Sequence, residues 1–228
     1  MDILITSGGT REYIDPVRFI TNASSGKMGL SLVHAALKAG HNVTLISSLP
    51  AEGLSENVKY IRAETTAQMA TAVKRHLPHN DCLIMAAAVS DYTVKNASST
   101  KIKKSSRPLK LTLVPTEDIL KWAGTNKETA DGRARIIAGF ALEDEELLKN
   151  AREKMTRKNL DLIIANSPEA IGAGKSTVYI ITQNGSVTTL ERKSKALIAE
   201  RIIQVMQQCR NQKIFKDRGT TDLHGFHG

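Results

Sequence analysis

Aromatic residues make up only 4% of this 228-residue chain, and no basic stretch is interleaved with them. Proteins that bind single-stranded nucleic acid rely on aromatic platforms for base stacking, so that class is disfavoured. Cysteine is scarce too: Cys82 and Cys209 are the only two, which gives no disulfide framework. No apolar run approaches the roughly 18 residues of a membrane span. The start, MDILITSGGT, lacks the basic n-region of a signal peptide and reads as a first strand. The expected compartment is the cytoplasm, with neither membrane nor nucleic acid as a partner.

What the chain does have is positive charge. Its 32 basic and 23 acidic residues leave a net charge of +9, which fits an anionic partner. With stacking residues scarce, small phosphorylated ligands are the better reading.

Apolar runs of strand length alternate with helix-period segments. DILIT (2–6), NVTLIS (42–47), VKYIRA (58–63) and the small-residue-rich DCLIMAAAV (81–89) read as strands. Helices are predicted over 27–38, with Leu30, Val33 and Leu37 on one face, and over 66–77, capped by Thr65 or Thr66. The second half continues the alternation with RIIAGF (135–140), a charged helix over 143–157 and LDLIIAN (160–166). TVYIIT (177–182) and SVTTLE (186–191) flank Asn184-Gly185, a strong hairpin signal. A last helix is expected over 193–209. The pattern predicts an α/β fold with a Rossmann-like, mostly parallel sheet flanked by helices and a C-terminal hairpin. It forms one domain over 1–210, with a loose tail over 211–228. Residues 92–115, polar and lysine-rich in the middle, read as an arm or flap from the sheet; a linker is the alternative.

The stretch NASSGKMG (22–29) resembles a phosphate-binding loop but fits no standard motif. Against G-x-x-x-x-G-K-[ST], Thr21 stands where the first glycine should be and Met28 replaces the hydroxyl residue. Gly8-Gly9-Thr10 likewise lacks dinucleotide spacing. The physics survives: Ser24, Ser25 and Gly26 precede a helix whose first turn offers free N–H groups and a positive dipole end. Either serine could equally serve as a helix cap. Both uses are compatible.

Taken together, TSGGTREYIDPVRFITNASSGKMG (6–29), AAAVSDY (86–92), KIKK (101–104), GFALE (139–143) and RKNLDLIIAN (157–166) resemble the phosphopantothenate–cysteine ligases of coenzyme A synthesis. The resemblance runs from residue 2 to about 195, and the start at the first strand resembles the stand-alone bacterial form. It implies CTP and Mg2+, a carboxylate activated as an acyl-cytidylate, and attack by the amine of cysteine. It also implies a homodimer whose flap reaches toward the neighbouring subunit.

The resemblance assigns residues one by one. Asn22 would hold the acyl carbonyl, and Lys101 would reach the triphosphate from the flap; these are the catalytic candidates. Arg18, Ser24, Ser25, Gly26 and Ala87 would bind substrate, although Arg18 could instead simply pair with Asp15. Met85, Ala86, Ala87, Asp91, Lys101, Glu117, Asp118, Ile119, Leu120, Phe140, Lys154 and Lys158 would bind the nucleotide, with Asp91 also at the metal. The 117–120 transfer is the loosest, because VPTEDIL departs from the family's N-P-D-I. Composition alone would make KIKK an ordinary solvated run and Asn22 a turn residue.

Other readings predict features that are missing. A dinucleotide reductase needs an acid at the end of the second strand, which here ends in Ser47-Ser48. A basic nucleic-acid-binding protein would concentrate its lysines, which are dispersed. His76-x-x-His79 and His224-x-x-His227 lack companion metal ligands, and Cys82 reads as inert packing.

Overall fold

A computed structural model describes residues 1–50, 52–128, 135–143, 145–167 and 174–221, with side chains to 215. Residue 144 of the predicted charged helix, the His224/His227 pair and residues 222–228 of the predicted tail lie outside the described residues.

An eight-stranded sheet organises the chain. Its parallel strands are β1 (Asp2–Ser7), β4 (Asn42–Ser47), β5 (Val58–Arg62), β6 (Cys82–Met85), β9 (Ile136–Leu142) and β10 (Leu162–Asn166). They are ordered β5-β4-β1-β6-β9-β10, the doubly wound order 3-2-1-4-5-6. The antiparallel strands β11 (Lys175–Thr182) and β12 (Val187–Ser194) extend the edge. Gly185, with a φ of 90°, closes the β11–β12 turn, and its N–H donates to Thr182 O at 2.9 Å.

Alternation along β1 shows how the sheet builds two cores. Ile3 and Ile5 face one side, with Leu32, Val33 and Ala36 of α1 (Lys27–Lys38) and Ile198, Ile202 and Met206 of α5 (Lys195–Thr221). Leu4 faces the other, with α2 (Thr66–His76), α3 (Ile119–Thr125) and α4 (Leu147–Arg157). Because α1 packs on both β1 and α5, its buried set is Gly29, Leu32, Val33, Ala35 and Ala36. Leu30 and Leu37 of the expected face are only partly buried. Thr65 caps α2 in a capping box with Gln68, as its sequence suggests.

Five features differ from the sequence reading, the simplest being that the charged helix predicted over 143–157 begins at Leu147. The strand over 81–89 ends at Met85: Ala87 N–H turns to Thr6 Oγ1 at 3.1 Å, and the chain leaves the sheet. The long loop after β1 contains a hairpin, β2 (Arg11–Tyr13) and β3 (Phe19–Thr21), too short to leave a periodic signal. Helix α3, for which the sequence reading has no element, opens at Ile119 and Leu120 because the Asp118 carboxylate accepts Lys121 N–H at 2.9 Å and caps it. Finally, α5 runs on through Thr221 instead of ending near 209. Arg210 pairs with Asp81 at 2.7 Å and Lys213 with Asp161 at 2.7 Å, which fastens the extension to the sheet.

The arm is present as β7 (Tyr92–Val94) and β8 (Leu113–Pro115), an antiparallel pair separate from the main sheet. Tyr92, Leu109, Leu111 and Leu113 are exposed along it. Among the described residues, no helix is long and apolar enough to cross a membrane.

Candidate functional site

In a doubly wound sheet the crevice opens where strand order reverses, here between β1 and β6 at their C-terminal ends. A cavity of about 620 Å³ lies there. One wall is 22–29, another the segment leaving β6 with Asp91, a third Thr116–Leu120, and Phe140, Lys154 and Lys158 close the far side.

The first wall is an open helix start. Gly26 is the N-cap of α1 in a left-handed conformation, φ 68°, and no side chain caps the helix. That backbone conformation strains any residue with a Cβ, and an added Cβ would also displace Leu49 Cδ1, so glycine is favoured there. The alternative use of Ser24 or Ser25 as a helix cap is not found: Ser24 Oγ instead accepts Gly26 N–H at 3.4 Å. The first-turn amides have no intrahelical acceptor, and Lys27, Met28 and Gly29 line the cavity. Gly29 lets the helix lie directly on Ser7, where any side chain would collide with Ser7 Cβ and Oγ.

Asn22 joins the first wall to the second. Its Nδ2 donates to Ala88 O and Val89 O, each at 3.2 Å, so both amide hydrogens are engaged. Oδ1 is the atom left over for a ligand.

The third wall is acidic but partnered. Glu117 pairs with Lys74 at 2.6 Å, and Asp118 with Lys158 at 2.9 Å. Burial works to raise the Asp118 pKa, but the Lys158 and Lys121 hydrogen bonds outweigh it and hold the carboxyl below its usual value. Asp91 has no hydrogen-bond or ion-pair partner for its carboxylate among the described residues. Lys154 is also without an ion-pair partner there. Burial, then the charge of Lys158, pushes its pKa down, with Glu143 and Asp91 opposing. A desolvated, unpaired lysine at a cavity wall gains most from an anion.

The structure thus gathers Asn22, Ser24, Ser25, Gly26, Met85, Ala86, Ala87, Asp91, Glu117, Asp118, Ile119, Leu120, Phe140, Lys154 and Lys158 around one cavity. Arg18 and Lys101 do not line it. Arg18 pairs with the buried Asp15, and Lys101 lies exposed on the arm. Sequence reasoning missed Asn166, Ser176 and Lys195 on the far side. Asn166 ends β10 at the ligand-facing edge, a position the strand-end rule could have flagged. Cys82 is buried and its thiol is pushed up to about 12 by burial, so it is inert packing as expected.

No group of three metal-binding side chains occurs among the described residues. A protein-only metal cage is therefore not formed there. One unpartnered carboxylate at the cavity does suit Mg2+ that is held mainly by phosphate oxygens.

The family model "DNA/pantothenate metabolism flavoprotein C-terminal domain" matches residues 1–209. A cysteine/cysteine sulfinic acid decarboxylase from an unknown prokaryotic organism is 37% identical over 207 residues, covering 89% of this chain and 56% of that protein. The coenzyme A biosynthesis bifunctional protein CoaBC of Bacillus subtilis (strain 168) is 40% identical over 210 residues, covering 89% and 50%. The chain spans about half the length of the curated relatives it matches. The crystal structure of the C-terminal domain of a CoaBC protein superposes with a TM-score of 0.76 at 32% identity, covering 92% of this chain and 96% of that one.

Proposed function

The chain belongs to the DNA/pantothenate metabolism flavoprotein C-terminal domain family, and from that premise we propose that it joins 4′-phosphopantothenate to L-cysteine in coenzyme A synthesis. The observation that carries this reading is the pairing of an uncapped helix start with two lysines, Lys154 and Lys158, across one cavity. Such a site receives a nucleoside triphosphate and a second anion together.

In the first step a carboxylate oxygen of phosphopantothenate bonds to the nucleotide α-phosphorus while the bond to the β-phosphate oxygen breaks, releasing pyrophosphate. The first-turn amides after Gly26, with Lys154 and Lys158, hold the phosphates and offset the charge that builds up. Mg2+ bound beside Asp91 would supply further charge neutralisation. Phe140 gives the nucleobase an apolar surface. In the second step the cysteine amine attacks the acyl carbon, the acyl–oxygen bond breaks, and the nucleoside monophosphate leaves as the amine loses a proton. Positioning carries much of that barrier. For Asn22 to donate to the acyl carbonyl, it must release Ala88 O or Val89 O as the ligand enters.

CTP is the proposed nucleotide, and ATP is the comparison. The exposed apolar arm fits a second copy of the chain, and we propose a homodimer in which Lys101, carried on the arm, meets the nucleotide triphosphate. The decarboxylase name of one relative belongs to a protein of which this chain covers 56%. The test is product formation by mass spectrometry with phosphopantothenate, cysteine, Mg2+ and either nucleotide. Amide product with CTP supports the reading; product with ATP alone would correct the nucleotide, and none with either would refute the activity.

A further inference from the structure

A single buried carboxylate ties the arm to the hairpin that leads into the 22–29 loop. Asp15, between β2 and β3, has a side chain that is 0% exposed. Its Oδ1 accepts Val17 N–H and Arg18 N–H, both at 2.9 Å. Its Oδ2 accepts Arg18 Nε–H at 3.0 Å, Arg18 Nη2–H, and the backbone N–H of Ile102 at 3.1 Å. Arg18 Nη2 also donates to Ile102 O at 2.8 Å. Both polar atoms of residue 102 are therefore gripped, the N–H by Asp15 and the carbonyl by the arginine that Asp15 orients. A second clip, Ser98 N–H to Ile14 O at 2.9 Å, lies four residues before Ile102.

The neighbours of Ile102 show the contrast. Lys103 and Lys104 are exposed, and the hydrogen bonds of Ser105 and Arg107 that follow stay local to the arm. Within KIKK, the fixed point is Ile102, and Lys101 is the residue next to it. The other end of β3, Thr21, directly precedes Asn22. One carboxylate thus sets where Lys101 starts from relative to the loop that receives phosphate.

We propose that Asp15 is a positioning residue that fixes Lys101 for the nucleotide-dependent step, acting through the peptide of Ile102 and the Arg18 guanidinium. The inference rests on the reading above, in which Lys101 meets the triphosphate. It makes the arm a tethered element with its lysine near the tether, rather than a free flap. It also gives Arg18 a task in arm geometry.

The chemistry requires a carboxylate. An amide presents one acceptor oxygen and one NH2 group. In Asp15→Asn, whichever way the amide turns, NH2 faces either the Val17 and Arg18 amides or the Arg18 side chain with Ile102 N–H. Either orientation breaks one half of the grip.

The experiment uses the full chain and two readouts. The first is amide hydrogen exchange in the unaltered protein. Ile102 N–H is expected to exchange at least about tenfold more slowly than Lys103 and Lys104 N–H, because a hydrogen bond to a buried carboxylate must open first. Equal rates overturn the tether, whatever any variant does. The second is pyrophosphate release with phosphopantothenate and CTP in Asp15→Asn, Lys101→Gln and the double variant. Each single change is expected to slow release about tenfold or more, and the double variant to be no slower than Lys101→Gln, since residues acting as one unit are non-additive. Losses that multiply would show Asp15 acting apart from Lys101 and overturn the proposal. Full activity in Lys101→Gln would instead remove the role of Lys101 itself, and with it any catalytic consequence of the tether.

Discussion

Asn22 Nδ2 lies 3.2 Å from the carbonyl oxygen of Ala88, so one side-chain amide clips the loop before α1 to the segment leaving β6. An amide can do this because it donates toward two carbonyls without carrying charge. In Asn22→Asp a carboxylate would face Ala88 O and Val89 O, three acceptor groups with no hydrogen between them. The clip should open, and turnover should fall by about 100-fold or more, as for loss of a positioned donor. Because phosphate binding rests on Gly26 and the lysines, the cysteine step should suffer more than pyrophosphate release. Single-turnover measurement of the two half-reactions checks this. Equal losses in both would contradict the role given to Asn22.

Lys154 gives a pH prediction. Burial lowers its pKa below the ordinary value of 10.5, and only the ammonium form attracts phosphate. Its charge is present at pH values below the lowered pKa and is lost as pH rises through it. The KM for nucleotide should therefore climb on the alkaline side before 10.5, with proton uptake on binding. In Lys154→Met the KM should start high and lose that alkaline rise. An unchanged profile in the variant would show that another group titrates.

Gly29 and Ser7 test the packing beneath the site. In Gly29→Ala the new methyl meets Ser7 Cβ and Oγ, and Ser7 is buried at the end of β1. Lifting α1 off the sheet should cost about 1–3 kcal/mol, as overpacking does. Chemical denaturation reads that loss, and nucleotide affinity should fall with it because the helix start moves. A variant of native stability would mean that the contact relaxes freely.

The arm provides a test of assembly. Leu109, Leu111 and Leu113 are exposed apolar residues on an element that packs little of its own surface. If a second copy covers them, Leu111→Asp should turn a dimer into a monomer in sedimentation velocity and leave the helix content unchanged. A monomer before substitution would remove the dimer from the account.

How far the sequence could be read depended on whether a segment buries one face. The helix over 27–38 and the strand over 42–47 are found at their predicted bounds, because each presents a continuous apolar pattern to the sheet. Strands β2 and β3 escaped because three residues carry no period, and Phe19–Thr21 are all exposed. The end of α5 looked like a loose polar tail because charge rather than apolar burial fastens it: Arg210 to Asp81 and Lys213 to Asp161. At the site, the residues carried by motif resemblance converge on one cavity, apart from Arg18 and Lys101. Arg18 lies off the cavity because it pairs with Asp15, the alternative that its sequence offered; what the sequence does not display is that Asp15 is buried. Asn166, Ser176 and Lys195 went unseen because they come from three separate elements and share no local motif.

The central claim is that one cavity activates a carboxylate with a nucleotide and then passes the acyl group to cysteine. The most direct measurement incubates the protein with phosphopantothenate, CTP and Mg2+ but no cysteine, and follows pyrophosphate and enzyme-bound species. The predicted result is a burst of pyrophosphate close to one per site and a species of the mass of the acyl-cytidylate. Addition of cysteine should consume that species and yield the amide and CMP. No pyrophosphate with CTP or ATP, with or without cysteine, would contradict the claim.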